Sequence, residues 1–209
     1  MSFLNSMVIR NSIHDSVAWS FSNNGMFSVK SFRNNLENFP VEFHSCSSFL
    51  WKNLCPPKVE IFAWQLRKGR IMVRDVLVRF SMGNDLSGNC LLCNNGDETI
   101  DHLFVHCSWS WKVWNYGMSW WEVMCCPNKS LIDWMDCWIG LSPYTKSLRA
   151  WNILFFAVIW TIWEVGNNLI FRGQEAVIEK AVDEVKFRLV WWFKCFGKGN
   201  KDLVPKFKL

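Results

Sequence analysis

The stretch that decides the fold is residues 90–107, CLLCNNGDETIDHLFVHC. It places Cys90, Cys93, His102 and Cys107 in the pattern Cys-x2-Cys-x8-His-x4-Cys. Two thiolates two residues apart can bind one metal ion from a tight turn, and a His and a Cys on one face of a helical turn can complete a tetrahedron around it. The pattern therefore predicts one bound Zn2+ ion.

Four Cys and His ligands leave no coordination position for water, so the predicted site is structural and not catalytic. His106 is the rival to His102 as the third ligand, but it is adjacent to Cys107, and two neighbouring residues can hardly both bind one ion with relaxed geometry. The alternative interpretation is that Cys90, Cys93 and Cys107 are ordinary buried cysteines. The other six lack partners at useful spacing and are expected to be core or incidental thiols: Cys46, Cys55, Cys125, Cys126, Cys137 and Cys195.

The composition indicates a folded chain with a sizeable core. Of 209 residues, 50% are hydrophobic and 20% are charged, which suits one large domain or one domain with a helical extension. Fifteen residues are Trp, mostly inside apolar, helix-like runs, so we expect the majority of them in the core. An odd number of cysteines and a polar start without a secretory signal predict an intracellular, reducing setting, with the nucleus as a weaker expectation.

Helical patterns dominate the sequence. Pro56-Pro57 opens a predicted helix that Lys68-Gly69 ends, because proline is tolerated in the first turn of a helix and glycine interrupts one. The most apolar stretch, residues 150–163, is shorter than the ~20 residues that a membrane span needs, so we predict a buried core helix and no membrane contact. The other predicted helices cover residues 74–80, the Trp-rich segment after Cys107, and residues 132–141, 148–171 and 175–196.

The N-terminal part of the sequence has a turn and a strand-like pattern in place of a helical one. A turn at Gly25 and the Phe-x-Val alternation after it predict a short strand that leads into a helix near Ser31. We therefore predict a mainly α protein: a small zinc-stabilised helical domain over residues 15–115 with a short N-terminal β element. A Trp-rich helical extension with a basic tail is expected to follow over residues 116–209.

The cysteine pattern sits inside a longer motif: Cys90-x2-Cys93, then Glu98-Thr99-x2-His102-Leu103-Phe104-x2-Cys107, then Trp114. This sequence resembles the reverse-transcriptase zinc-binding domain, found at the C-terminal side of non-LTR retrotransposon polyproteins and abundant in plant genomes. That family reads Cys-x2-Cys, Glu-Thr-x2-His-Leu-Phe-x2-Cys and a following Trp.

Segments on either side extend the resemblance. Upstream, Asp15-x3-Trp19 and Pro57-Lys58-Val59 are similar to the family's entry segment and helical middle. Downstream, Ile159 to Trp163 resembles the tail often seen after the domain. Gly166 stands where the family usually has Arg, which argues against a basic role for that position.

The resemblance implies a zinc ion and contact with RNA or DNA within a retrotransposition machine. The net charge of +5 permits such contact. The candidate residues are the basic cluster Arg67, Lys68, Arg70, Arg74 and Arg79, for which a solvated helix face is the alternative interpretation. A polymerase needs paired metal-binding carboxylates, and the chain contains no Asp-Asp dipeptide. We therefore expect a binding module without catalytic residues, enzyme activity or a small-molecule substrate.

Two other functions remain open from the sequence. A protein-interaction or scaffold fragment would use the Trp-rich helices to dock on a reverse transcriptase polypeptide or another partner, because alone they would expose apolar surface. A truncated element with no present function would have the same sequence features.

Overall fold

The computed structural model describes residues 50–80, 88–138, 140–142 and 147–196, together with scattered positions between residues 18 and 31. The chain divides into two units, Met1–Phe43 and His44–Leu209. The second unit contains a π-helical turn at His102–His106 and these helices: α1 Pro57–Arg67, α2 Arg74–Phe80, α3 Ser108–Ser119, α4 Leu131–Trp138, α5 Leu148–Arg172 and α6 Ile178–Cys195. The predicted mainly α class is confirmed, and the described residues form no strand.

The short β element predicted after Gly25 is not supported. Gly25 closes a turn in which its N–H donates to the Ser22 carbonyl at 3.1 Å, and its φ of 68° is left-handed. Ser28 and Ser31 then cap each other, since the backbone N–H of each donates to the hydroxyl of the other. Reciprocal capping of this kind starts a helix, and Ser31 is helical as predicted. The Phe and Val of the predicted alternation lie outside the described residues.

The helix boundaries follow local signals in the sequence. Pro57 begins α1, and α5 begins after Ser147, whose hydroxyl accepts the Ala150 N–H at 3.3 Å. Gly173, with a left-handed φ of 62°, ends α5. The predicted bounds of α1, α2 and α5 are confirmed to within a residue, whereas α4 and α6 are shorter than predicted. The α6 helix starts late because Val177 before it is extended.

Aromatic side chains on α5 and its neighbours form the centre of the core. Trp138 of α4 stacks on Trp151 of α5 with ring centroids 4.2 Å apart and an interplanar angle of 10°. Each indole N–H donates to the carbonyl of the other residue, at 3.2 and 2.8 Å, so both polar groups are satisfied without water. All fifteen Trp residues are described, and only Trp51 and Trp191 are exposed, which confirms the predicted burial of most of them.

The α5 helix is the longest element and lies in the middle of the packing. It packs on α1 and α3, and α6 packs on α3 and α5. Helices before and after residue 115 therefore share one core, while the predicted domain boundary at that position stays a prediction. By length and composition α5 could also cross a membrane, but half of its most apolar window is buried inside the protein. That burial agrees with the predicted core helix.

Two helical glycines test how closely α3 packs on α5. A Cβ at Gly117 of α3 would lie 3.0 Å from Cδ1 of the fully buried Leu154, whereas one at Gly166 of α5 meets no described atom within 4 Å. We expect Gly166→Ala to raise the free energy of unfolding by about 0.5–1 kcal/mol through helix propensity. We expect Gly117→Ala to lower it by about 1 kcal/mol, because a buried methyl group must move. Chemical denaturation measures both changes, and equal effects of the two variants would contradict this packing.

Candidate metal centre

The four predicted ligands converge in the structure. The Sγ atoms of Cys90, Cys93 and Cys107 and a ring nitrogen of His102 all lie within 4.8 Å of one another. Cys90 Sγ is 3.8 Å from Cys107 Sγ, and Cys93 Sγ is 3.2 Å from His102 Nε2. In a tetrahedral site with Zn–S bonds of about 2.3 Å, two sulfurs are about 3.8 Å apart. The donor set and the sulfur spacing therefore fit a metal ion of the size and preference of zinc.

A tight turn presents the first two cysteines. The Asn94 N–H donates to the Cys90 carbonyl at 2.8 Å, and the Cys90 N–H donates to the Gly96 carbonyl at 2.9 Å. Asn94 and Gly96 both have left-handed φ angles, of 54° and 72°, which Asn and Gly tolerate best. A Cβ at Gly96 would lie within 3.8 Å of the His102 ring, so the turn also borders the third ligand.

A π-helical turn brings His102 and Cys107 together. In an α-helix, residues five apart point about 140° away from each other, because each residue rotates the chain by about 100°. Here the Cys107 N–H donates to the His102 carbonyl at 2.6 Å, which closes a ring over five residues and returns the later residue to the side of the first. The sequence predicted one face of a helical turn for this pair but not the π type of that turn.

The rival ligand His106 points elsewhere. Its Nε2 lies 3.1 Å from the carbonyl oxygen of Lys129, and its side chain is exposed. The structure therefore places His102 beside the three cysteines and His106 outside the cluster.

The motif residues between the ligands anchor neighbouring helices. Glu98 is buried, and its Oε1 accepts the backbone N–H of Arg74 at the start of α2, at 3.2 Å. Burial raises the pKa of the Glu98 carboxyl, while backbone hydrogen bonds from Arg74 and Leu91 act in the opposite direction. Thr99 Oγ1 accepts the His102 N–H at 3.1 Å and caps the π-turn. The Glu-Thr pair thus joins two helical segments through side-chain caps.

Asp101 is a positioning residue that the sequence analysis missed. Its Oδ1 accepts the backbone N–H of Leu131 at the start of α4, at 2.8 Å. Because the two residues are 30 positions apart, no local sequence pattern predicts this cap. Through this hydrogen bond, residues 90–107, here called the ligand loop, also fix where α4 begins.

The Trp that follows the motif ties the π-turn to α3. Trp114 Nε1 donates to the Phe104 carbonyl at 2.8 Å, and both side chains are fully buried. Phe104 also lies against Phe62 of α1, with ring centroids 6.2 Å apart. The aromatic core and the ligand loop are therefore one continuous structure.

The Cys90 thiol donates a hydrogen bond to the Cys107 sulfur at 3.8 Å, and this contact shifts the pKa of both groups. The pKa of Cys107 is lowered to about 5, first by the hydrogen bond from the Cys90 thiol and then by the Ser110 and Trp109 groups at the start of α3. The same hydrogen bond and burial raise the pKa of Cys90. Because metal ions bind thiolates, the lowered pKa of Cys107 favours metal binding at this site.

Comparison with known proteins finds a family similarity in the segment that contains the four candidate ligands. The family described as zinc-binding in reverse transcriptase matches residues 27–114. Residues 27–114, which include all four candidate ligands, are thus similar to a reverse-transcriptase zinc-binding domain. A protein named "Putative ribonuclease H protein" from Arabidopsis thaliana is 27% identical over 180 residues, which cover 85% of this chain and 28% of that relative. The chain thus spans less than a third of the relative's length, and no solved structure matches it.

The described cysteines outside the zinc-binding motif do not join the cluster. Cys55 is buried, and burial raises the pKa of its thiol. Burial also raises the pKa of Cys125 to about 11, and that of Cys137 rises for the same reason. Cys126 and Cys195 are exposed, while Cys46 lies outside the described residues.

Two of the five basic residues predicted to contact nucleic acid form ion pairs. Arg67 pairs with an aspartate of α4 at 3.2 Å, and Arg79 pairs with the aspartate one turn earlier in α2 at 2.5 Å. The guanidinium of Arg70 lies 5.8 Å from the centre of a Trp ring of α1. Lys68 is exposed, and Arg74 begins α2. Ion pairing of this kind reduces the charge available to phosphates.

Two fully buried Trp residues of similar surroundings test the tie between Trp114 and the π-turn. Trp114 donates its indole N–H to Phe104, whereas the buried Nε1 of Trp134 has no hydrogen-bond partner among the described residues. Each Trp→Phe variant loses a similar volume, but only Trp114→Phe leaves a buried carbonyl without its donor. We expect Trp114→Phe to lower the free energy of unfolding by about 1–2 kcal/mol more than Trp134→Phe. Chemical denaturation of the zinc-loaded variants measures the difference, and its absence would show that the Phe104 carbonyl does not need this donor.

Proposed function

We propose that this chain is a structural, non-catalytic zinc module of a retrotransposon-type polyprotein. The observation that supports it is the convergence of Cys90, Cys93, His102 and Cys107, whose ligand atoms lie within 4.8 Å of one another inside a zinc-binding domain of the reverse-transcriptase type. With four protein ligands the ion has no open position for water or substrate, so it organises structure and does not catalyse.

The zinc ion organises a loop on which three helical segments depend. Glu98 caps α2, Thr99 caps the π-turn and Asp101 caps α4, all within the ligand loop. A structural zinc site contributes its binding free energy to folding, because the site does not exist in the unfolded chain. We infer that loss of the metal disturbs these caps together.

The two histidines of the motif provide a matched test of the ligand set. We expect the wild-type protein and a His106→Ala variant to hold about one zinc ion per chain, because His106 lies outside the cluster. A His102→Ala variant should lose most of its zinc and unfold at a lower temperature, because one of four ligands is missing. Metal analysis by mass spectrometry and thermal melting of the purified proteins give the two readouts. Equal zinc contents in the two variants would contradict the assignment of His102.

We also propose that the module contacts RNA or DNA, as a second role. The net charge of +5 and the reverse-transcriptase type of the domain support this proposal. The ion pairs of Arg67 and Arg79 argue against the cluster first predicted from the sequence as the main contact surface. The eight described cysteines are all free, which favours the predicted intracellular setting, and a nuclear location would suit such a role.

Salt dependence tests the nucleic-acid role for the whole protein. Neutralised phosphates release counterions, so the logarithm of the binding constant should fall linearly with the logarithm of the salt concentration. A protein with several phosphate contacts should lose at least tenfold in affinity between 50 and 200 mM salt, by the same electrostatic argument. Fluorescence anisotropy with labelled oligonucleotides measures this slope. A wild-type protein that binds no oligonucleotide at low salt would contradict the role.

Docking on a reverse transcriptase polypeptide, or another protein partner, is the alternative. An apolar groove of about 200 Å³ between α2 and α5 supports it, with the partly exposed side chains of Met72, Leu77, Ile170 and Phe171 along it. The relative from Arabidopsis thaliana has more than three times the length that this chain covers, so such a partner surface can belong to the same polypeptide.

A further inference from the structure

The positive charge of the chain is concentrated at its C-terminal end. Residues 186–209 contain seven basic residues and one acidic residue, a net charge of +6, so the first 185 residues together carry −1 of the total of +5. The basic residues are Lys186, Arg188, Lys194, Lys198, Lys201, Lys206 and Lys208. A segment of this charge density attracts a polyanion.

Two exposed aromatic rings lie on the same part of the chain. Phe187 is 63% exposed and Trp191 is 47% exposed, one helical turn apart on α6. Their rings are nearly parallel, with an interplanar angle of 14° and centroids 6.3 Å apart. These two residues, here called the aromatic ridge, are not part of the core, because α6 already buries a separate stripe that includes Leu189.

The cations around the aromatic ridge differ in how they are engaged. Arg188 is partly buried and forms ion pairs with Glu164 and Glu184, so its charge stabilises the fold. Lys194 is exposed, lies one turn after Trp191 on the same face, and forms no ion pair with any described residue. The aromatic ridge thus has an available ammonium group at its C-terminal end, where the lysine-rich sequence follows.

We propose that the C-terminal half of α6 is a binding surface for single-stranded nucleic acid. Phe187 and Trp191 stack on unpaired bases, and Lys194 contacts a phosphate. Exposed aromatic rings beside cations bind single strands in this way, because every base has a flat apolar face and every linkage has a charge. Bases in a duplex are already stacked and cannot cover the rings.

This proposal rests on the proposed nucleic-acid role and assigns it to a new place. The surface lies outside the matched segment 27–114, whereas the Arg67–Arg79 cluster lies inside it. An anionic membrane is the other polyanion of comparable charge, but a helix that binds a membrane surface inserts its apolar face. The apolar face of α6 is already packed on α3 and α5, which favours nucleic acid.

The test uses the full-length, zinc-loaded protein and fluorescently labelled 20-nucleotide single-stranded RNA and DNA at low salt, with a labelled duplex and phosphatidylserine vesicles as further arms. We expect Phe187→Ala/Trp191→Ala to weaken single-strand binding at least tenfold, because two stacking contacts are lost. Lys194→Gln should weaken it severalfold and reduce the salt slope by about one, as for one lost phosphate contact. Phe80→Ala, a matched change of a ring that is 74% exposed on α2, should leave binding unchanged.

The outcomes distinguish the proposed α6 surface from the more general proposal that the module binds nucleic acid. If the wild type binds single strands and the ridge variant binds equally well, the surface is wrong while the nucleic-acid role stands. If no nucleic acid binds, both the α6 surface and the nucleic-acid role are wrong. Tighter binding to the duplex than to the single strand overturns the proposal in favour of duplex binding. Binding to vesicles alone overturns it in favour of a membrane. Trp191→Phe keeps a flat ring and should retain most of the affinity, so a folded Trp191→Phe variant that loses binding as fully as the double variant also counts against stacking.

Discussion

The hydrogen bond from the Cys107 N–H to the His102 carbonyl, at 2.6 Å, fixes the geometry on which the metal centre depends. It closes a π-helical turn, so that two residues five positions apart face the same point. Cys107 is also the residue from which α3 starts, and the first N–H groups of that helix stabilise its thiolate. A single residue therefore ends the π-turn, begins α3 and contributes a ligand atom. It couples the metal centre to α3, which packs on α5 and α6.

The aromatic core continues that coupling into the rest of the second unit. Trp114 donates to the carbonyl of Phe104 in the π-turn, and its ring also lies against Trp138, which stacks on Trp151 of α5. Indole groups suit this arrangement because each covers a large apolar area and can still satisfy one buried carbonyl. A chain rich in Trp can in this way join helices that are distant in sequence, with the indole N–H groups of Trp114, Trp138 and Trp151 all hydrogen-bonded.

Much of this architecture could be predicted from the sequence because its determinants are local. Proline and glycine mark the ends of helices, apolar periodicity marks their buried faces, and the Cys/His spacing gathers the four ligand candidates. The sequence could not reveal features that depend on distant partners. Asp101 caps a helix 30 positions away, and the aspartate that pairs with Arg67 lies 69 positions away, so the cap was missed and the basic cluster seemed freer than it is. The expected β element is not supported for a related reason, since reciprocal Ser28 and Ser31 caps favour a helix where a strand would need a partner.

The metal centre and the basic end of the chain are far apart in sequence, yet α3 connects them. Cys107 precedes α3, and two residues later Trp109 donates its indole N–H to the carbonyl of Ala176, at 2.8 Å, just before α6 begins. The α6 helix also packs along α3, so the position of its aromatic ridge depends on how α3 is held. A structural ion at the start of α3, as proposed, would restrict the orientation of that helix. The proposed zinc ion would then support the proposed binding surface without touching its ligand, because it would hold the helix on which α6, with its exposed aromatic rings, packs.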